Sequence, residues 1–512
     1  MVNGSAHGTA KSTAHGIAKA AGHRTAHRTA ARLAAAGLVL SSPLWLPRSV
    51  VALRMKIFAK VNGDEGITLP NAEIGPERFE EIYSHPAANG RSRGAALSDL
   101  FWYWLSPGPE VHQEHLEAGE RYAEVARCTQ AVLAGASGDL TRAAGRCAAA
   151  ALDELSRTRP TLVRLRDLMM PVWASFFYEL VFKEPCPPAA RDLITGNADD
   201  VVSALKCTRP RRMHRRARLT RYLVRRVAAG EVPHALPGGL STRQRAHYLQ
   251  GTFFNTAVVQ MSEAMAHLLL VLAEHHEVQR RLADDPADER YLDHVMNETL
   301  RLYPLFGVAH RITTGDIDLG AGRAIPAGSV LCFSYPDYHS TGYTDPDTFA
   351  PERWETLSAK DAHHIPFGVA ANRPCPAWRL APLVMRAVTR EVLARFTLDT
   401  AVSHTRSLPH RAPCLLVPRE RPLPSAAART VRGFLRVRDR CEDVVRAPVQ
   451  LVLGTWMVLD ARRRKPAETY FATHDTEGRP LPRPPHPAAP PTPGGGGGAA
   501  APGGGGGCPF PH

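Results

Sequence analysis

Cys375 sits between two prolines, in the run RPCPAW, just ahead of a stretch that reads as helix. The chain has nine cysteines, at 128, 147, 186, 207, 332, 375, 414, 441 and 508. The number is odd, the spacing is irregular and no CxxC occurs. That argues against a disulfide framework and for a reducing compartment. A thiol that precedes a helix is chemically useful, because backbone N–H groups and the helix dipole favour its thiolate. Two further sets come before it. HVMNETLRLYP places Glu298 and Arg301 three residues apart on one helix face, within ion-pair reach, and FAPERW contributes Arg353. Each set alone says little. Such a Glu/Arg pair is usually a solvated surface pair, a lone loop cysteine is usually inert and buried, and PERW is a turn.

Their order carries more. A long apolar helix ending in LAEHHEVQRRL comes first, then the Glu298/Arg301 pair, then Arg353, then Cys375. This arrangement resembles the cytochrome P-450 family of haem-thiolate monooxygenases over roughly residues 80 to 418. The resemblance implies haem b (iron protoporphyrin IX), with Cys375 as the axial ligand of its iron. A thiolate pushes electron density onto iron and favours O–O cleavage. Phe367 and Gly368 match the family's loop, whose aromatic ring shields the thiolate. Arg373 and Arg311 match residues that meet the haem propionates, with His310 a second candidate beside Arg311; guanidinium–carboxylate pairing is the chemistry expected there. Glu298, Arg301 and Arg353 match a buried charge triad with a structural role. The same resemblance implies electrons from NAD(P)H through a ferredoxin- or flavoprotein-type donor.

The sequence departs from the family in two places. Phe367 and Cys375 are eight residues apart instead of the usual seven, with Ala370-Ala371 and Ala377 where glycines are common. Counting back from His275, the acid–alcohol pair of the central helix falls on Val259 and Gln260, neither of which is an acid. Asn255 and Thr256, about one turn upstream, are the substitute catalytic candidates, with Ser262-Glu263 just downstream. Two functions therefore follow: insertion of oxygen into a small organic substrate, or an atypical haem-thiolate protein that is peroxide-driven, rearranging, or ligand-binding without oxygenation.

The elements that must position these residues are mainly helical. Apolar periodicity predicts helix through most of residues 78 to 310, short strands separated by Gly and Pro between 310 and 353, helix again over 377–397, and strands to 418. The fold class is mainly α (α+β), a large helical domain with a small β-rich region. The organisation reads as low complexity over 1–32, an apolar lead-in over 33–77, a catalytic domain over 78–418, a helical extension over 419–476 and a Pro/Gly-rich disordered tail over 477–512. The stretch 33–53 is broken by Pro43, Pro47 and Arg48, so it reads as a buried or interfacial helix, with peripheral membrane attachment the alternative to a cytoplasmic protein.

With 63 Lys and Arg against 49 Asp and Glu, the net charge is +14. That favours acidic partners: an anionic membrane, an electron donor, or a carrier protein bearing the substrate. No zinc spacing or RNA-binding signature accompanies it, so nucleic acid is not expected. The run from Thr208 to Arg226 holds nine Arg and one His, and by position matches the segment that roofs the family's substrate pocket; a solvated helix face is the simpler reading. Arg379, Arg386 and Arg390 offer themselves to an acidic electron donor. The Ala-, Arg-, Pro- and Gly-rich composition suggests a GC-rich genome and a setting in bacterial secondary metabolism.

Overall fold

A computed structural model of the chain describes residues 66–358, 362–405 and 407–482, with helical stretches at 41–43 and 45–53 and the single residues 37 and 56. The low-complexity segment 1–32 and the tail beyond 482 lie outside the described residues.

Fifteen α-helices follow residue 66 among the described residues. They are α1 (Phe79–Ser84), α2 (Ala96–Leu105), α3 (Glu120–Leu133), α4 (Ser137–Asp153), α5 (Leu165–Phe182), α6 (Pro188–Leu205), α7 (Met213–Ala228), α8 (Thr242–Gly251), α9 (Val258–Glu274), α10 (His276–Asp284), α11 (Glu289–Leu302), α12 (Tyr335–Ser340), α13 (Leu380–Arg395), α14 (Ser425–Arg464) and α15 (Pro466–Phe471). Strands are few and short: β1 (Gly66–Leu69), β2 (Thr161–Arg164), β3 (Val308–Ile312), β4 (Ile317–Gly320), β5 (Arg323–Ile325), β6 (Val330–Ser334), β7 (Phe396–Asp399) and β8 (Pro413–Pro418). They form the sheets β1-β6-β3 and β2-β8-β7 and the hairpin β4-β5. The mainly α class with a small β region is as expected.

The centre of the body is α9. Apolar residues surround it, so it belongs inside. Residues Leu268 to Leu272 are fully covered, chiefly by α5. Together α8 and α9 make a helix apolar enough to cross a membrane, but 78% of its apolar window is buried within the protein. The expected run to Leu282 breaks at His275, between α9 and α10.

Three boundaries differ from the sequence reading. The body begins before residue 78, because β1 pairs in parallel with β6 through Gly66↔Val330 to Leu69↔Phe333. Four residues are too few for periodicity to reveal such a strand. Residues 477–482 are ordered: Glu477 accepts hydrogen bonds from the Glu120 and Arg121 amides (3.1 and 2.8 Å), capping α3 with a carboxylate at its positive end. Within 45–53, Trp45, Val51 and Leu53 are exposed, so this stretch is not a buried helix.

The extension is bolted to the body. Met457, Val458 and Ala461 pack on Leu100 and Tyr103 of α2. Tyr103 donates its hydroxyl to Asp460 (2.7 Å), and Arg164 forks onto Glu442 (3.1 and 3.0 Å).

Candidate functional site

The loop from Pro366 to Pro376 is closed by one backbone bond: the Cys375 amide donates to the Phe367 carbonyl at 2.8 Å. Two left-handed residues turn the chain inside it, Gly368 (φ 78°) and Arg373 (φ 55°). A Cβ at Gly368 would meet nothing nearer than 3.5 Å, so backbone conformation, not space, requires glycine there. Arg373 is held in its less favourable conformation by its guanidinium, which donates to Leu116 O (2.5 Å), Asn89 Oδ1 (3.2 Å) and Asn89 O (3.3 Å). Buried Asn372 pins the loop by donating to Tyr83 O (2.6 Å) and Ala88 O (2.8 Å). The extra residue is thus absorbed by a second sharp turn. Burial pushes the Cys375 thiol up to about 11, and the Ala377 amide offsets this only in part. The helix behind it, α13, begins five residues later, so its dipole does not make the thiolate stable by itself.

Cys375 faces a cavity of ≈ 300 Å³. Phe367, Gly368, His310, Arg311 and Arg373 line the same cavity. So does Arg91, which the sequence reading missed. Gly90 places it: Gly90 bridges Ile312 of β3, and a Cβ there would stand 2.6 Å from the Ile312 carbonyl. This close approach sets Arg91 against His310, whose Nδ1 accepts from its guanidinium at 2.8 Å while Nε2 donates to the Arg91 carbonyl at 3.1 Å. Arg311 donates to the His310 carbonyl (2.9 Å) and the Tyr83 hydroxyl (3.0 Å).

Among the described residues, none of these three guanidiniums has a carboxylate within ion-pair distance. Burial and neighbouring Arg311 lower Arg91 to about 9, and likewise lower Arg373 to about 10. Three crowded cations facing one apolar cavity make a seat for a dianion. His310 is not one of them: burial, then Arg91, hold it well below the usual imidazole range, so it is a neutral acceptor that positions Arg91. His115 also lines the cavity, with a buried Nε2 that has no partner. No motif marks either Arg91 or His115.

The opposite wall is the α8–α9 helix, which widens to a π-helical segment over Thr252–Ala257. Such bulges commonly mark functional sites, because the extra residue breaks the regular hydrogen-bond ladder and shifts the helix face. Here Thr252, Asn255, Thr256, Val259 and Gln260 all reach the cavity. Thr252 Oγ1 and Asn255 Oδ1 are buried without a partner. The other pair does not take part. Ser262 back-bonds to Val258 O (2.7 Å), while Glu263 is paired with Arg166 (3.3 Å) and Lys206 (2.5 Å), away from the cavity lining.

The basic run does not roof this cavity. Its α7 portion is partly buried, with Arg216 fully covered and paired with Asp200 at 2.7 Å; Val201, Val202 and Leu205 of α6 supply that part of the lining. Two of the three arginines after Cys375 are occupied as well, Arg386 by Asp293 (2.8 Å) and Arg390 by Glu289 (2.9 Å). Of the three, exposed Arg379, lying over the Trp378 ring, is left for an acidic partner.

The charge triad forms as expected. Glu298, fully buried, receives Arg301 at 2.9 Å through both oxygens and Arg353 at 2.9 Å. The Trp354 indole and the Ala350 amide, each at 3.0 Å, complete its shell. It ties α11 to the segment leading into the cysteine loop.

Comparison with known proteins agrees with this geometry. The family model for cytochrome P450 matches residues 242–423. A Mycobacterium tuberculosis cytochrome P450 designated 135B1 is 32% identical over 161 residues, covering 30% of this chain and 34% of that protein. Mouse cytochrome P450 3A13 is 32% identical over 158 residues, 27% of this chain and 31% of that one. The matched stretch thus spans about a third of the length of these curated relatives. Structural likeness reaches further. A six-coordinated cytochrome P450 from Thermus thermophilus aligns over 67% of this chain and 89% of its own, with TM-score 0.51 and 19% identity. A cyanobacterial cytochrome P450 with retinoic acid bound aligns over 67% and 88%, with TM-score 0.55 and 17% identity. The cysteine loop, the charge triad and the central helix all lie inside the stretch 242–423 that matches the cytochrome P450 family model, and the chain has the fold of the cytochrome P450 structures.

Proposed function

We propose that this protein is a haem-dependent monooxygenase that inserts oxygen into a small, apolar organic substrate. One observation carries the reading: Cys375 and three guanidiniums, none in a close ion pair, face the same mainly apolar cavity, with the buried carboxyl of Glu114 the one acid in its lining. Haem b fits these residues, since it brings an iron for the thiol and two carboxylates for the cations. Cys375 would hold its iron, giving up its proton as a coordinating thiol does. Arg91, Arg311 and Arg373 would hold the propionates by charge-assisted hydrogen bonds, and Phe367 would cover the sulfur. Bound there, haem supplies oxygen activation favoured by its thiolate ligand.

The remaining work falls to the α8–α9 wall. Thr256 can accept and donate a proton at Oγ1, and Thr252 Oγ1 and Gln260 lie on the same wall to orient water. Electrons would come from NAD(P)H through a ferredoxin- or flavoprotein-type donor, and bacterial secondary metabolism is the setting we favour. A second reading has its own support: the π segment and α9 bring no carboxylate to the cavity, so a peroxide-driven, rearranging or non-oxygenating protein would also suit it.

The test drives the purified, haem-loaded protein on a panel of apolar substrates, either with NADPH, ferredoxin and its reductase or with peroxide. Product carrying one added oxygen under the reductase system supports monooxygenation. Product with peroxide alone, or spectral binding without product, replaces it with the second reading.

A further inference from the structure

The extension does more than cover α2. Along α14, Phe434, Val437, Val445, Val449, Val452, Trp456 and Leu459 are all exposed, from 39% at Val449 to 69% at Phe434. With exposed Cys441 they recur at steps of three and four residues, which is one continuous face of a helix. At 1.5 Å per residue this stripe is about 38 Å long. Single exposed apolar residues are ordinary, but a contiguous stripe of this size marks an interaction surface.

What borders the stripe decides what covers it. Arg429, Arg436, Arg440 and Arg463 are exposed on the same helix. Its carboxylates are occupied: Asp439 is buried, Glu442 meets Arg164, Asp443 meets His410 and Asp460 accepts from Tyr103. The outer face therefore presents mainly apolar and cationic groups, and its one half-exposed acid, Asp443, is paired with His410. A second copy of this chain is a poor match, because in either orientation arginines would meet arginines with no unpaired acid between them. An anionic lipid surface suits it on both counts, offering acyl chains to the stripe and headgroup charge to the arginines.

From this we infer that α14 lies flat on an anionic bilayer as an interfacial anchor. It does not span. Its inner face is committed to the body through Met457, Val458 and Ala461. Trp456 suits the depth of the interface, where an amphipathic ring is favoured. This anchor is separate from residues 33–53, the stretch that the sequence first suggested. The inference stands apart from the chemistry proposed above, although α2, on which the extension packs, also lends Phe101 and Leu105 to the cavity.

The test is co-sedimentation of the full chain with vesicles of phosphatidylcholine alone and of phosphatidylcholine mixed with phosphatidylglycerol. Wild type should pellet with the anionic vesicles, less so as salt rises, and remain in solution with phosphatidylcholine. Val445→Asp/Val452→Asp should abolish pelleting without changing the thermal melt, since both side chains are exposed. Arg436→Gln/Arg440→Gln should weaken it about 25-fold, at roughly fivefold per basic residue. The inference is overturned if wild type ignores anionic vesicles, or if folded variants bind as wild type does, which would move attachment to another segment such as 45–53. A wild-type dimer that the Val445/Val452 variant dissolves, with no vesicle binding, would assign the stripe to a second copy instead.

Discussion

The Cys375 amide and the Phe367 carbonyl meet at 2.8 Å across a loop one residue longer than the usual cytochrome P450 length. The bond forms because Gly368 and Arg373 both adopt left-handed backbone, so the added residue is spent in a turn and not in displacing the sulfur. Arg373 thereby faces the cavity beside Arg311 and Arg91.

That crowding makes a prediction about haem retention. Arg91→Gln removes one cation from the proposed propionate seat. A hydrogen bond to a charged group contributes about 1.5–3 kcal/mol, so haem should be lost to a globin scavenger about 10- to 150-fold faster. The measurement is the rate of haem transfer; an unchanged rate would remove Arg91 from the site.

Glu298 should matter for folding and not for chemistry. It is fully buried with two arginines on it, so Glu298→Ala strands Arg301 in the interior. Breaking such a pair costs about 3–5 kcal/mol. Denaturant melts should show that loss, with little soluble haem-loaded protein. A stable, fully loaded but slow variant would contradict the structural role.

Thr256→Val should leave the haem spectrum intact and divert reducing equivalents to peroxide. Acid–base assistance of this kind is typically worth about 10²–10⁴-fold in rate. The informative quantity is product formed per NAD(P)H oxidised, in wild type and variant. An unchanged ratio would leave water, Thr252 or Gln260 to handle the proton.

Acid should destabilise the protein through buried histidines. Burial holds His267 at about 3 and His404 at about 4, and His267 Nδ1 lies 3.1 Å from His404 Nε2. Their folded values lie below the unfolded one near 6.5, so below that pH the unfolded chain takes up protons first. Stability present at pH 7 should therefore fall as pH drops toward 4, by up to about 1.4 kcal/mol per pH unit for each histidine. His267→Gln should flatten this slope by about one proton in urea melts between pH 7 and 5.

Much of this was legible in the residues. Glu298, Arg301, Arg353 and Cys375 are visible because local spacing and chain order suffice to place them. Asn255 and Thr256 were legible as candidates by counting from His275, though the π-helical widening that brings Thr252 to the same cavity leaves no mark in composition. Arg91 was invisible for a different reason. Its position depends on Gly90 approaching Ile312, a contact between residues more than two hundred positions apart. The basic run misled because charge density says nothing of burial, and Arg216 is buried against Asp200. The exposed face of α14 was likewise beyond reach until α2 showed which side is covered.

The most direct test of the account is the ferrous–carbon monoxide spectrum of the purified, haem-loaded chain. Ligation by Cys375 predicts the red-shifted Soret band of a thiolate haem, and its loss in Cys375→Ala while the far-ultraviolet dichroism stays that of the wild type. A wild-type band at the position of a histidine-ligated haem, or a thiolate band that survives in Cys375→Ala, would contradict it.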